Sequence, residues 1–203
     1  VVTDTSDKSM EELNATNVTP FGVIVSNIHE VNELMCARMI DRGYFRDISP
    51  EECIALLSIF LETRPISDYS PPSFEEIGLS EHLIERMYEI YNYGKDLRVR
   101  EEGFGIDVGN DYSVHDMMTE FAYNWAKDSK NETHTPLNGL KIPFYKGNFI
   151  KDMIKLNAVV SEISNVAEVI GDMDLLKQMN ECSKLLIRNE VTPDSLYLSD
   201  KPF

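Results

Sequence analysis

"GNFIKDMIKLNAVVSEISNVAEVIG", residues 147–171, decides the fold. Phe149, Met153, Leu156, Val160, Ile163, Ala167 and Ile170 recur there at steps of four and three. That is the spacing of one face of a helix, so the stretch predicts a helix over about 147–170 with a buried seam. Ile150 and Ile154 widen the seam, which implies cover on more than one side. Lys151 and Lys155 lie four apart on the side away from it, with Asn148 and Ala158 nearby on the same face.

Helix signals run outward from this stretch in both directions. After Gly171, "DMDLLKQMNECSKLLIRNE" predicts a partner helix, and "VTPDSLYLSDKPF" closes the chain. Upstream, Thr19-Pro20 is an N-cap followed by proline at the first helical position. A helix is expected over about 30–42, with Leu34, Met35 and Met39 supplying an apolar face, Arg38 and Arg42 a basic one, and Gly43 a fitting stop. "SPEECIALLSIFLE" opens on a capping box of Ser49 and Glu52, and Ile54, Leu57 and Leu61 repeat at helical spacing. Residues 63–79 read as a loop with three prolines. Ser80 is expected to cap a long helix to about 101, with Gly94 weakening its middle. "GFGIDVGNDY" reads as a loop, and Ser113 is expected to cap a helix bearing Met117, Phe121 and Trp125 four apart. Residues 128–146 read as irregular, and no alternating run suggests a strand. The fold class expected is all-α: an irregular bundle of about seven or eight helices with one long member.

Composition narrows the function. The chain has 203 residues, 42% hydrophobic, and a formal net charge of −16, which opposes broad binding to nucleic acid or anionic lipid. A local patch can still differ. Between Thr133 and Ser161 four lysines (Lys141, Lys146, Lys151 and Lys155) meet a single acid, Asp152. An ordinary solvated helix face accounts for two exposed lysines equally well, because a lysine stem can lie on apolar surface with its ammonium in water.

Chemistry-bearing motifs are sparse. No phosphate-cradling GxxxxGK[ST] occurs, and Gly103, Gly105 and Gly109 do not make a GxGxxG. His115 and Glu120 are five apart, about 140° around a helix, and cannot easily share an ion. The reading is therefore no catalytic residue and no metal site in this chain. Cys36, Cys53 and Cys182 are odd in number and far apart, which suits buried thiols in a reducing, intracellular setting. No run is apolar enough to cross a membrane. The polar opening over 1–12 is expected to be a linker edge of a longer chain, and 199–203 a tail.

The order of motifs carries a resemblance. Ser49-Pro50-Glu51-Glu52 followed by Ala55-Leu56-Leu57-Ser58-Ile59-Phe60, then "EFAYNWAK" (120–127), then "FYKGNFIKDMIKL" (144–156), then "SLYL" (195–198), resembles the DSHCT domain. That domain is the C-terminal helical region of superkiller-type, exosome-associated DExH-box RNA helicases. The resemblance spans about residues 13–198.

It implies a role inside a larger enzyme. In the family, two RecA-like domains hydrolyse ATP with Mg, and the helical domain packs across them around single-stranded RNA. A long "ratchet" helix lies along the RNA path. Residues 147–170 resemble that helix, which puts Lys151 and Lys155 where the family has basic residues facing RNA. Asn148 falls on the same surface, and Glu62 falls near a family acid that faces the RNA. Lysine stands here where the family favours arginine. The partners implied are the RecA-like domains of the parent chain, single-stranded RNA and an exosome-like complex. A different reading takes the acidic chain as a helical protein-interaction module with no direct RNA role.

Overall fold

A computed structural model describes residues 18–62, 71–75, 78–105, 109–128, 146–187 and 191. Among them are seven α-helices: α1 (Pro20–Val25), α2 (Glu33–Asp41), α3 (Pro50–Leu57), α4 (Glu81–Gly103), α5 (Thr119–Asp128), α6 (Lys146–Ile170) and α7 (Met173–Leu186). A 3-10 turn, Ser58–Phe60, follows α3. Val18 and Val191 form only isolated bridges, and there is no strand among the described residues. The all-α reading holds. The linker edge at 1–12, the tail at 199–203, Lys141 and the "SLYL" run lie outside the described residues, as do 63–70 and 129–145 of the two expected loops.

α3 is the centre. Cys53, Ile54, Ala55, Leu56 and Leu57 are all fully buried, so this helix has no solvent face beyond its first turn. A helix that is apolar all round must be surrounded, and α3 touches α4, α5, α6 and α7. Its start is fixed by the expected capping box. Ser49 Oγ accepts from the Glu52 amide (3.2 Å), and Glu52 Oε2 accepts from the Ser49 amide (2.9 Å).

Two glycines stop helices as the sequence indicates. Gly43 (φ 67°) and Gly171 (φ 76°) are left-handed. At the first, the Tyr44 amide donates to Met39 O and the Gly43 amide to Ile40 O; at the second, Asp172 donates to Ala167 O and Gly171 to Glu168 O. This crossed pair of bonds is the Schellman arrangement. The second one folds α7 back against α6, and these two helices share the most extensive packing in the bundle.

Four local expectations are corrected. α3 gives way to the 3-10 turn at Ser58, whose hydroxyl turns back to Ala55 O (2.7 Å); Leu61 is buried but lies beyond the helix. Ser80 stands at the N-cap of α4 but its side chain makes no capping bond; its hydroxyl donates to Glu52 Oε1. Ser113 caps no helix. Asp111 Oδ1 accepts its amide, Tyr112 and Val114 are both buried, and the His115 amide donates to Ile59 O. These interactions hold 111–115 as a strap, and α5 starts only at Thr119. Its buried residues include Ala122, Trp125 and Ala126, while Met117 and Phe121 stay partly exposed.

Gly94 does not interrupt α4, which is continuous from Glu81 to Gly103. A Cβ at this position would meet Tyr112 O at 2.7 Å and Met35 Cε at 3.0 Å. The glycine lets the strap and α2 close onto α4. Two turns earlier, the buried Arg86 guanidinium donates to Tyr44 O and, at 2.9 Å, to Arg46 O, tying the α2–α3 connection to α4.

Candidate nucleic-acid interface

The interface is built from the back of α6 forward. Phe149, Met153, Leu156, Val160, Ile163 and Ala167 are at most 1% exposed, so the seam is buried as expected. Ile170 is the exception at 39%, because the helix has run past the bundle edge there. Val159 and Val166 are buried too, so the helix is covered on a broad arc. Its first turn is pinned by Trp125 of α5. The indole meets the Phe149 ring edge-on at 5.6 Å (75° between planes) and donates from Nε1 to Leu186 O of α7 at 3.2 Å. One side chain thus joins α5, the start of α6 and the end of α7.

With the back fixed, the front is fixed as well. Asn148, Lys151 and Lys155 are exposed on it, and at 100° per residue the two lysines stand only about 40° apart around the axis. Among the described residues, neither lysine is within ion-pair distance of a carboxylate. Asp152, half-buried one residue along, is the acid that Lys155 feels. Burial pushes its carboxyl up from 3.8 to about 6, against the pull of Lys155. Half-buried in that position, Asp152 stands partly withdrawn behind the lysines.

The stripe ends abruptly. Ala158 is half-buried, and the next residue on this face, Glu162, accepts the amides of His29 (3.0 Å) and Glu30 (3.1 Å). The α1–α2 connection is thereby drawn onto the second half of α6. On this helix, the exposed cations are confined to the first three turns. Sequence reasoning missed this clamp. Glu162's place seven residues after Lys155 on the same face is readable, but its partners His29 and Glu30 lie more than 130 positions away, so the clamp itself is not.

Three of the four proposed RNA-facing residues are therefore together: Asn148, Lys151 and Lys155. Glu62 is exposed just past the 3-10 turn, and no hydrogen bond or ion pair among the described residues ties it to α6. His115, Asp116 and Glu120 do not converge. Asp116 Oδ2 accepts the Ser73 amide at 2.7 Å, and no group of three or more His, Cys, Asp or Glu among the described residues could hold a metal ion. All three cysteines are buried free thiols. No helix among the described residues is long and apolar enough to cross a membrane.

Comparison with known proteins gives this geometry a setting. The chain is 24% identical over 183 residues to the ATP-dependent RNA helicase mtr4 of Schizosaccharomyces pombe, covering 87% of this chain and 15% of that protein. It is 22% identical over 187 residues to the antiviral helicase SKI2 of Saccharomyces cerevisiae, covering 90% and 14%. The exosome RNA helicase MTR4 of Homo sapiens is 22% identical over 180 residues, covering 87% and 16%. The chain thus spans about one seventh of the length of the relatives it matches. The family of the DSHCT (NUC185) domain matches residues 15–192, nearly the whole chain and every described helix, so this protein belongs to the DSHCT family.

Proposed function

We propose that this domain guides single-stranded RNA within an ATP-dependent, superkiller-type RNA helicase, and that the exposed face of α6 is the part that meets the strand. The observation that carries this reading is the pair Lys151 and Lys155: exposed, unpaired among the described residues, and held on a helix whose back is buried at every turn up to Ala167. Neither lysine is held in an ion pair among the described residues, so both charges stay available to phosphate, with Lys155 partly offset by the half-buried Asp152. A rigid helix adds no ordering cost when the strand arrives. Asn148 adds a hydrogen-bonding amide at the start of the stripe. Glu62 belongs to the proposal as a residue on the strand's path, with support from the resemblance alone.

In this reading ATP and Mg act in RecA-like motor domains of the parent chain, and this domain contributes packing and grip. Each ATP-driven step must be followed by a hold, and the hold needs interactions that are reversible. Two lysines on phosphate supply that, because each behaves as a point charge with mobile donors rather than a fixed fork. An exosome-like assembly is a proposed partner of the parent, on the strength of the relatives' names.

The test is Lys151→Glu with Lys155→Glu in the full-length parent. RNA-stimulated ATPase and RNA affinity should both fall, while the melting temperature stays within a degree or two of wild type, as for surface changes generally (about ±0.5 kcal/mol). The slope of log affinity against log salt should flatten by about 1.4, at roughly 0.7 for each single-strand phosphate that the two side chains neutralise. Unchanged affinity and slope would remove these lysines from the RNA path. The acidic interaction-module reading is favoured by the net charge of −16 alone, and it requires RNA binding to be indifferent to this double substitution.

A further inference from the structure

The tip where α6 turns into α7 is the most apolar exposed feature among the described residues. Val169 is 60% exposed, Ile170 39% and Met173 66%. The other large exposed hydrophobics, Val18, Val99 and Phe104, lie elsewhere in the chain. Three such residues within five positions do not arise from a solvated helix end, where polar side chains cost nothing.

The tip is also rigid. Gly171 closes it with the Schellman bonds, and Asp172 Oδ1 caps α7 by accepting the Leu175 amide at 3.0 Å. Asp172 Oδ2 holds Arg46 at 3.1 Å. A shallow groove of about 520 Å³ runs alongside, lined by Arg46, Ile170, Asp172, Met173 and Asp174. Its lining is mainly acidic: Asp172 and Asp174 stand against a single cation, Arg46, which Asp172 already engages. The complementary surface is an apolar socket bordered by lysine or arginine.

We propose that this tip docks into such a socket on another domain of the same polypeptide. Patch size decides between occupants. Free partners associate stably through interfaces of roughly 1,200–2,000 Å² in total, and three side chains fall far below that. A tethered partner needs much less, because linkage raises its effective concentration to about the millimolar range. The chain accounts for only 14–16% of relatives such as SKI2 and human MTR4, so ample polypeptide is available in a parent of that size. The proposal rests on the reading of this chain as one domain of a larger helicase, and it assigns the docking to a face distinct from the lysine stripe.

The experiment uses the full-length parent with Val169→p-benzoylphenylalanine, irradiated and mapped by mass spectrometry, together with hydroxyl-radical oxidation of Met173 in the unsubstituted protein. Docking predicts crosslinks within the same molecule to peptides outside residues 1–203 that contain lysine or arginine, and oxidation of Met173 several-fold slower than in the parent carrying Val169→Ser and Ile170→Ser. Crosslinks to a second copy, to another protein or to nothing would overturn it, as would fully reactive Met173. RNA-stimulated ATPase of the unsubstituted parent separates the two ideas. Docking in a parent without that activity sinks only the helicase reading; activity with an undocked tip sinks only the docking.

Discussion

At Gly94 two residue-level effects oppose each other. Glycine inside a helix costs about 1 kcal/mol relative to alanine, so Gly94→Ala would ordinarily stabilise α4. Here the added methyl would stand 2.7 Å from the Tyr112 carbonyl oxygen, and backbone cannot step aside as a side-chain end can. Overpacking of this kind costs about 1–3 kcal/mol, so the steric term wins. Gly94→Ala should lower the urea midpoint with little change in slope; a raised midpoint would show that the strap yields. Asp152 gives a second prediction. Its folded carboxyl is pushed up to about 6 from 3.8, so the folded state holds more proton between those values and its contribution to stability falls as pH rises through that window. Asp152→Asn should match wild type near pH 3.5 and exceed it increasingly up to pH 7. A stability difference that does not vary with pH would mean the carboxyl is solvated in the fold.

Among the elements, two serines at helix starts make a controlled pair. Ser49 takes part in a complete capping box on the central helix, whereas Ser80 occupies the same position on α4 without capping it. Ser49→Ala should cost about 1 kcal/mol, and Ser80→Ala about 0.5 kcal/mol or less, the scale of an exposed polar interaction. Equal losses in parallel denaturant titrations would contradict the difference in geometry. The same pair shows what was legible in the sequence. Caps, glycine stops and the seam of α6 are local patterns, and they were readable residue by residue. Where a tertiary interaction competes, the local signal failed. Ser80 was drawn to Glu52, and the residues after Ser113 were held out of a helix by Ile59 O and the packing of Tyr112 and Val114. The lysine stripe was legible for the same reason as the seam, since one periodicity sets both. Its abrupt end was not, because the Glu162 clamp joins residues more than 130 positions apart.

For the whole molecule the governing quantity is the charge of −16. Self-repulsion at that charge destabilises the compact state. Screening shortens from about 30 Å at 0.01 M salt to about 10 Å at 0.1 M, so adding monovalent salt should raise the melting temperature of this chain. Over the same range RNA binding by the parent should weaken, because phosphate neutralisation releases counterions. The two trends must run in opposite directions. A joint rise would mean that the strand is held by groups other than the lysines.

The burial of α6 also restricts how its sequence can change length. Each residue inserted or deleted between Phe149 and Ala167 would turn everything beyond it by about 100°. A deletion after Phe149 would carry either the lysines toward Trp125 and the core or the seam out to solvent. Substitution of one cation for another leaves that phase intact. The helix can therefore vary in the identity of its outward residues far more freely than in their count.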